Sequence, residues 1–214
     1  LYIGTAARFM PGRHGITDDD AQRLQVDPTY YKSAKDVSDN VLLTSRDGKT
    51  YDQTFREALV RPGPDLAQWV SRSGYPALNV VPTGATEMSL YANQNYGQPT
   101  SHLRRYSLRL DGFASVHAPY DGGEWITKPL RFTGHHLEIN LSTSAPGFIH
   151  VEIQDEAGQP IEGFRAEECA DVPGNELARI VRWKSGDDVS ALAGKTVRLR
   201  FVMKDADLYS MKFQ

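Results

Sequence analysis

Val197-Arg198-Leu199-Arg200-Phe201-Val202-Met203-Lys204 is the stretch that decides the fold class. Val197, Leu199, Phe201 and Met203 fall on one side of an extended chain; Arg198, Arg200, Val202 and Lys204 fall on the other. A period of two means a strand with one dry face and one wet face. The same pattern recurs nearby. Leu137, Ile139 and Leu141 alternate with Glu138, Asn140 and Ser142, and Ile149, Val151 and Ile153 alternate with His150, Glu152 and Gln154. Tyr209, Met211 and Phe213 repeat it at the end. Asp155-Glu156-Ala157-Gly158 and Ser185-Gly186-Asp187-Asp188 supply turns between these runs. Trp183 alternates with Val181 and is expected in the core. Several half-buried strands separated by turns predict an antiparallel β-sandwich over residues 109–214, a span of the usual size for that architecture.

Outward from there, the first half is also rich in strands. Tyr2 to Phe9, Val41 to Thr44, Phe55 to Val60, Leu78 to Val81, Met88 to Ala92 and Leu103 to Leu110 read as extended. Asp18 to Leu24 reads as a short helix, its acidic start favoured by the helix dipole. A four-stranded propeller blade takes ~40–45 residues, so residues 1–108 would hold roughly two to two and a half blades. Leu1-Tyr2-Ile3-Gly4 reads as the middle of a strand. A partial ring of blades leaves sheet edges open, which predicts either further N-terminal blades or closure by an oligomeric partner.

Composition narrows the function classes. The chain has 214 residues, of which 40% are hydrophobic and 24% charged, as in a globular protein rather than a disordered one. Lys+Arg number 24 against 27 Asp+Glu, which gives no electrostatic footprint for nucleic acid. No apolar run reaches the ~20 residues of a membrane-spanning helix. The single cysteine, Cys169, excludes an internal disulfide and a zinc site of cysteines. It leaves the compartment open, with periplasm or cell exterior favoured. No calcium loop, phosphate loop or nucleophile elbow is present, and His135-His136 in a strand would point to opposite faces. Neither a metal nor a cofactor is expected.

Several stretches occur together in one order: Thr44-Ser45-Arg46-Asp47-Gly48, Phe55 to Gly63, Glu87-Met88-Ser89-Leu90-Tyr91, Leu103 to Phe113, and Val197 to Ser210. In these the chain resembles the glycoside-hydrolase-family-32-like proteins of planctomycete-type bacteria. Those proteins are similar to the five-bladed β-propeller glycosidases of the fructosidase and arabinosidase superfamily, which carry a C-terminal β-sandwich. The resemblance implies an all-β chain made of the last blades of a five-bladed propeller followed by a β-sandwich. It implies hydrolysis of a plant or algal glycan by carboxylate acid/base chemistry, the alternative being a non-catalytic carbohydrate-binding or structural protein that kept the fold. Early-blade carboxylates of that superfamily have no counterpart here.

Glycoside hydrolysis uses two carboxyl groups flanking the scissile bond. Glu87 follows the loop Pro82-Thr83-Gly84-Ala85-Thr86 and opens a strand, so it can point into a propeller's central funnel as the acid; the alternative is a charge at an exposed loop-strand junction. Asp39 precedes the strand Val41-Leu42-Leu43, as an Asp does in the resembled group. It would orient a hydroxyl or tune another carboxylate, or else form a turn. Asp47, in Ser45-Arg46-Asp47-Gly48-Lys49-Thr50, is similar to the Asp-box hairpins of sialidases and is read as a turn stabiliser. Arg8 and Arg61 are candidate substrate binders, since a guanidinium holds a carboxylate or sugar hydroxyls at two points and would suit an acidic sugar. Their alternative is an ion pair with Glu57 or Asp65. Trp69 and Tyr75 are candidate stacking platforms for sugar rings, or packed aromatics.

Overall fold

The computed structural model describes residues 1–52 and 56–214. They divide into two compact units, Leu1–Arg109 and Leu110–Gln214. The chain is all-β apart from short helical turns.

The first unit begins with β1 (Tyr2–His14), followed by α1 (Asp18–Arg23), the single turn α2 (Tyr31–Ala34), β2 (Asp36–Ser45) and β3 (Ala58–Val60). α1 starts where the acidic run predicts. Thr17 caps it: its hydroxyl accepts from the Asp20 amide, and the Asp20 carboxylate accepts from the Thr17 amide. The three strands form an antiparallel sheet in the order β1-β2-β3. β4 (Val81–Pro82), β5 (Glu87–Gln94) and β6 (His102–Arg109) form a second antiparallel sheet in sequence order. The expected strand over Leu78 to Val81 is shortened to Val81–Pro82. Asn79 takes a left-handed backbone, φ 70°, which breaks the extended run and leaves Leu78 90% exposed. Phe55, read as the start of the third strand, lies outside the described residues.

Apolar packing in the first unit centres on Ile16, Ala21, Val26, Ala34 and Val70, with Trp69 against them. Much of the rest of its interior is polar. Ser38 Oγ accepts from the Arg72 amide at 2.8 Å, and Gln98 Nε2 donates to the Ala67 carbonyl at 2.8 Å. Such pairings offset the desolvation of buried polar groups.

The second unit contains β7 (Val116–Ala118), β8 (Gly123–Ile126), β9 (Leu137–Gln154), β10 (Asn175–Ile180) and β11 (Arg198–Phe213). They join one sheet in the order β10-β9-β11-β7, with β8 also paired to β11. The runs Leu137–Leu141 and Ile149–Ile153, read as separate strands, are two arms of β9; Val197–Met203 and Tyr209–Phe213 likewise merge in β11, apart from Val197 just before it. The two long strands pair antiparallel from Arg198↔Gln154 to Phe213↔Leu137, with register shifts at Lys204/Ala206 and Leu208/Ser210. Gly147 makes the continuity possible. A Cβ at that position would collide with the backbone carbonyls of Asp205 and Lys204, and the register sets residues 144–147 of β9 against Asp205 alone in β11, so β9 carries the bulge and passes close to its partner there.

Both arms of β9 bury side chains in one cluster: Leu137, Ile139 and Leu141 from one, Ile149, Val151 and Ile153 from the other, all at 0% exposure. Leu199 and Phe201 join them, and Trp183 lies in the same core as expected. Each such side chain contributes about 1.5–3 kcal/mol by leaving water. Trp125 stacks on Phe201 with ring centroids 4.7 Å apart.

Candidate functional site

The β1–β2 ladder builds the site. Its register sets Arg8 opposite Asp39 and Met10 opposite Val37. Residues two apart share a face, so these four side chains form one patch. Arg8 grips Asp39 by a fork: Nε donates to Oδ1 at 2.9 Å and Nη2 to Oδ2 at 2.6 Å. The remaining Nη1 donates to the Arg56 carbonyl at 2.8 Å. Asp39 is buried and Arg8 half-buried. The hydrogen bonds that Arg8 donates to Asp39 raise the Arg8 pKa above the ordinary arginine value; burial lowers it in part, and the Asp39 charge adds a further rise.

Beyond Met10 the register slips. Met10 pairs with Val37, but His14 pairs with Asp36, so Pro11-Gly12-Arg13 bulge out of β1. Gly12 makes the bend at φ 78°, and its amide donates to Asp36 Oδ1 at 3.1 Å. His14 Nδ1 lies 3.1 Å from the same oxygen. The bulge brings Arg13 and His14 to the rim of the patch.

The opposite wall comes from the chain after β3. Asp65 accepts from the Ala67 amide and starts a 3-10 turn, Leu66–Trp69. Trp69 Nε1 donates to the Gly63 carbonyl and Gln68 Oε1 accepts from the Gly63 amide, both at 2.8 Å. These bonds tie Pro62-Gly63-Pro64 to the indole edge. The result is a cleft of about 600 Å³ lined by Arg8, Met10, Arg13, His14, Val37, Asp39, Arg61 and Trp69, with Gly15, Ala58 and Pro62 between them.

Four of the six sequence candidates, Arg8, Asp39, Arg61 and Trp69, therefore meet in one place. Trp69 packs on the apolar cluster and also lines the cleft. Arg61 lies 3.6 Å from Glu57, the alternative partner read from the sequence, with both side chains about 70% exposed. Glu87 and Tyr75 do not line this cleft. Glu87 Oε1 accepts from Arg105 Nη2 and, at 3.0 Å, from Thr83 Oγ1. Arg105 Nε reaches Ser89 Oγ at 2.9 Å, so the four side chains clamp the β4–β5 hairpin. The Tyr75 backbone pairs with Asn93, whose Oδ1 accepts from the Tyr75 amide at 2.9 Å.

Arg13 and His14 are site residues that the sequence reading passed over. Their signal was local: a Pro-Gly pair inside a strand pattern marks a bulge, and the residues after a bulge are re-aimed. Asp47 behaves as a turn residue. Its Oδ1 accepts from the Lys49 and Thr50 amides at 2.8 Å and from Ser45 Oγ at 2.9 Å, and Gly48 takes φ 73°. A second cleft, about 610 Å³, lies at this turn, but its Asp47 carboxylate is engaged by the turn itself.

Among the described residues no group of three or more His, Cys, Asp or Glu side chains is placed to hold a metal ion. Among them, too, no helix is long and apolar enough to cross a membrane.

No family model matches the chain, and no curated protein matches it by sequence. Among solved structures it is similar to a glycoside hydrolase family 43 arabinoxylan arabinofuranohydrolase from Bacillus subtilis in complex with cellotetraose. The likeness has a TM-score of 0.29 and 11% identity over 84% of this chain, which spans 34% of the length of that one.

Proposed function

We propose that the cleft between the β1–β2 ladder and the Leu66–Trp69 turn binds a carbohydrate, in a chain that is glycoside-hydrolase-like. In this proposal residues 1–108 are the last blades of a five-bladed β-propeller and residues 109–214 a β-sandwich whose two layers are the arms of the long β9–β11 pair. Two successive three-stranded antiparallel sheets in the first unit support the blade reading.

The observation that carries the binding reading is the forked Arg8–Asp39 pair beside Trp69 in one open cleft. Sugar sites combine an aromatic or apolar wall with a few fixed polar groups. Trp69 and Met10 supply the wall, while the pair holds polar atoms in place. Hydrolysis would need a second carboxyl group across the scissile bond. Asp39 is the one carboxylate lining the cleft among the described residues. Binding is thus the activity this geometry supports best.

A glycan panel read by calorimetry tests the reading. At least one plant or algal oligosaccharide should bind, and Trp69→Ala should weaken it at least ~10-fold, the scale of a lost aromatic contact in a binding site. Absence of any binding, or full affinity in Trp69→Ala, would overturn it. The hydrolytic alternative assigns Glu87 as acid and is tested separately. Glu87→Gln should then lower turnover ~10²-fold or more, and unchanged turnover removes Glu87 from any mechanism.

A further inference from the structure

We propose that the cleft selects an acidic sugar, with Arg13 and Arg61 receiving its carboxylate. The inference rests on the carbohydrate reading and narrows it to a substrate class. Three guanidinium groups, Arg8, Arg13 and Arg61, and the His14 imidazole line the cleft, against the single carboxylate of Asp39.

These groups are not equally committed. Arg8 spends Nε and Nη2 on Asp39 and Nη1 on the Arg56 carbonyl, so it is a fixed internal member of the wall. His14 faces Asp36, which also holds the Gly12 amide. Arg61 faces Glu57 at 3.6 Å, beyond hydrogen-bond range, and both side chains stand largely in water. A pair of that kind is worth little and yields easily to a better acceptor. Arg13 is exposed on the Pro11-Gly12-Arg13 bulge, and its side chain has no hydrogen-bond or ion-pair partner among the described residues. The cleft thus presents one free fork and one weakly engaged fork on its rim, and one neutralised pair within.

A planar carboxylate matches a guanidinium fork by two parallel hydrogen bonds. Trp69, Met10, Val37 and Pro62 offer apolar surface beside it. A ligand with a ring that buries C–H groups and a carboxylate at its edge meets both demands, and a uronic-acid residue is such a ligand. A small inorganic anion would use the forks and leave the apolar wall bare.

The test uses the full 214-residue chain. Oligogalacturonate, oligoglucuronate and oligomannuronate are titrated beside their carboxyl-reduced neutral counterparts and inorganic phosphate. At least one uronate should bind at least ~10-fold tighter than its reduced form, the scale of a charge-assisted fork. Added salt should shrink that ratio, and Arg13→Gln and Arg61→Gln should each move it toward one. Both positions are exposed, and circular dichroism checks that the variants fold. Equal affinity for acid and reduced forms overturns the inference and leaves carbohydrate binding intact. Phosphate binding as tightly as the uronate overturns it as well, because the ring would then contribute nothing. If no glycan of either kind binds, both proposals fall.

Discussion

Arg8 and Asp39 sit directly opposite one another on β1 and β2 and are joined by two nearly parallel N–H···O bonds of 2.9 and 2.6 Å. The pair is lopsided in burial: the Asp39 side chain is 10% exposed and that of Arg8 34%. Removing the arginine strands a carboxylate that has little water around it. Removing the aspartate leaves a guanidinium that reaches solvent.

Arg8→Ala should therefore cost about 1–3 kcal/mol in the unfolding of the first unit, the penalty of a buried group left unpaired. Asp39→Ala should cost less, about 1 kcal/mol, since solvent screens the exposed partner. Urea denaturation of both single variants and the double variant gives the coupling directly. A coupling near zero would mean that the fork contributes nothing to the fold.

Gly15 holds the cleft at its present width. A Cβ there would stand 2.9 Å from Val37 Cγ2, 3.2 Å from Trp69 Cε3 and 3.3 Å from the Trp69 carbonyl. Gly15→Ala should push the indole outward and cost about 1–3 kcal/mol, as overpacking does. Glycan affinity should fall with it. Tryptophan fluorescence and the urea midpoint read the two effects, and an unchanged spectrum with unchanged stability would contradict the close approach.

The Asp47 carboxyl is held at about 2, below the ordinary carboxylate range, by the Thr50 and Lys49 amides first and the Ser45 hydroxyl next. A depressed folded-state value means that its stabilising contribution is complete above about pH 4 and is lost as the pH falls through about 2. Asp47→Ala should thus be less stable than the parent at neutral pH and equal to it at the acid end. Carboxyl titration by NMR should place the midpoint near 2; a midpoint near 4 would show that the turn bonds do not persist in solution.

Cys169 is buried, and desolvation pushes its thiol up to about 11 despite the Val151 amide that donates to Sγ at 3.3 Å. Thiolate is the reactive form. At pH 8 the folded chain should react with a maleimide roughly 10²-fold more slowly than the unfolded chain, from the difference in thiolate fraction. Comparable rates with and without denaturant would show that the second unit opens at the Cys169–Trp183 bridge.

Much of the local structure was legible in the residues. The alternation Leu199, Phe201, Met203 marks the core face of β11, and all three are buried. The acidic run Asp18-Asp19-Asp20 announces the start of α1, and Ser45-Arg46-Asp47-Gly48 announces its turn. The runs Leu137–Leu141 and Ile149–Ile153 read as separate strands, and the segment between them, Ser144-Ala145-Pro146-Gly147, holds the proline and glycine that usually interrupt one. Here they form a bulge within β9 opposite Asp205, and pairing with β11 resumes on both sides of it. The candidate site divided in the same manner. Arg8, Asp39, Arg61 and Trp69 were identifiable one by one as chemically capable residues, while Arg13 and His14 were aimed at the cleft only by the slip between Met10 and His14.

The sequence by itself determined the long alternating strands and what each of their faces is made of, since hydrophobic periodicity, caps and turns act over a few residues, while short strands such as Val116–Ala118 and Gly123–Ile126 form only by pairing with β11. Tertiary structure alone decided that residue 8 lies opposite residue 39 and that a tryptophan thirty positions later closes the cleft beside them. A one-residue slip between β1 and β2 would leave every local preference satisfied, yet it would part Arg8 from Asp39. That choice belongs to the packing of the whole unit, where burial of Val37 and the shape around Trp69 select one register from several that the chain could locally accept.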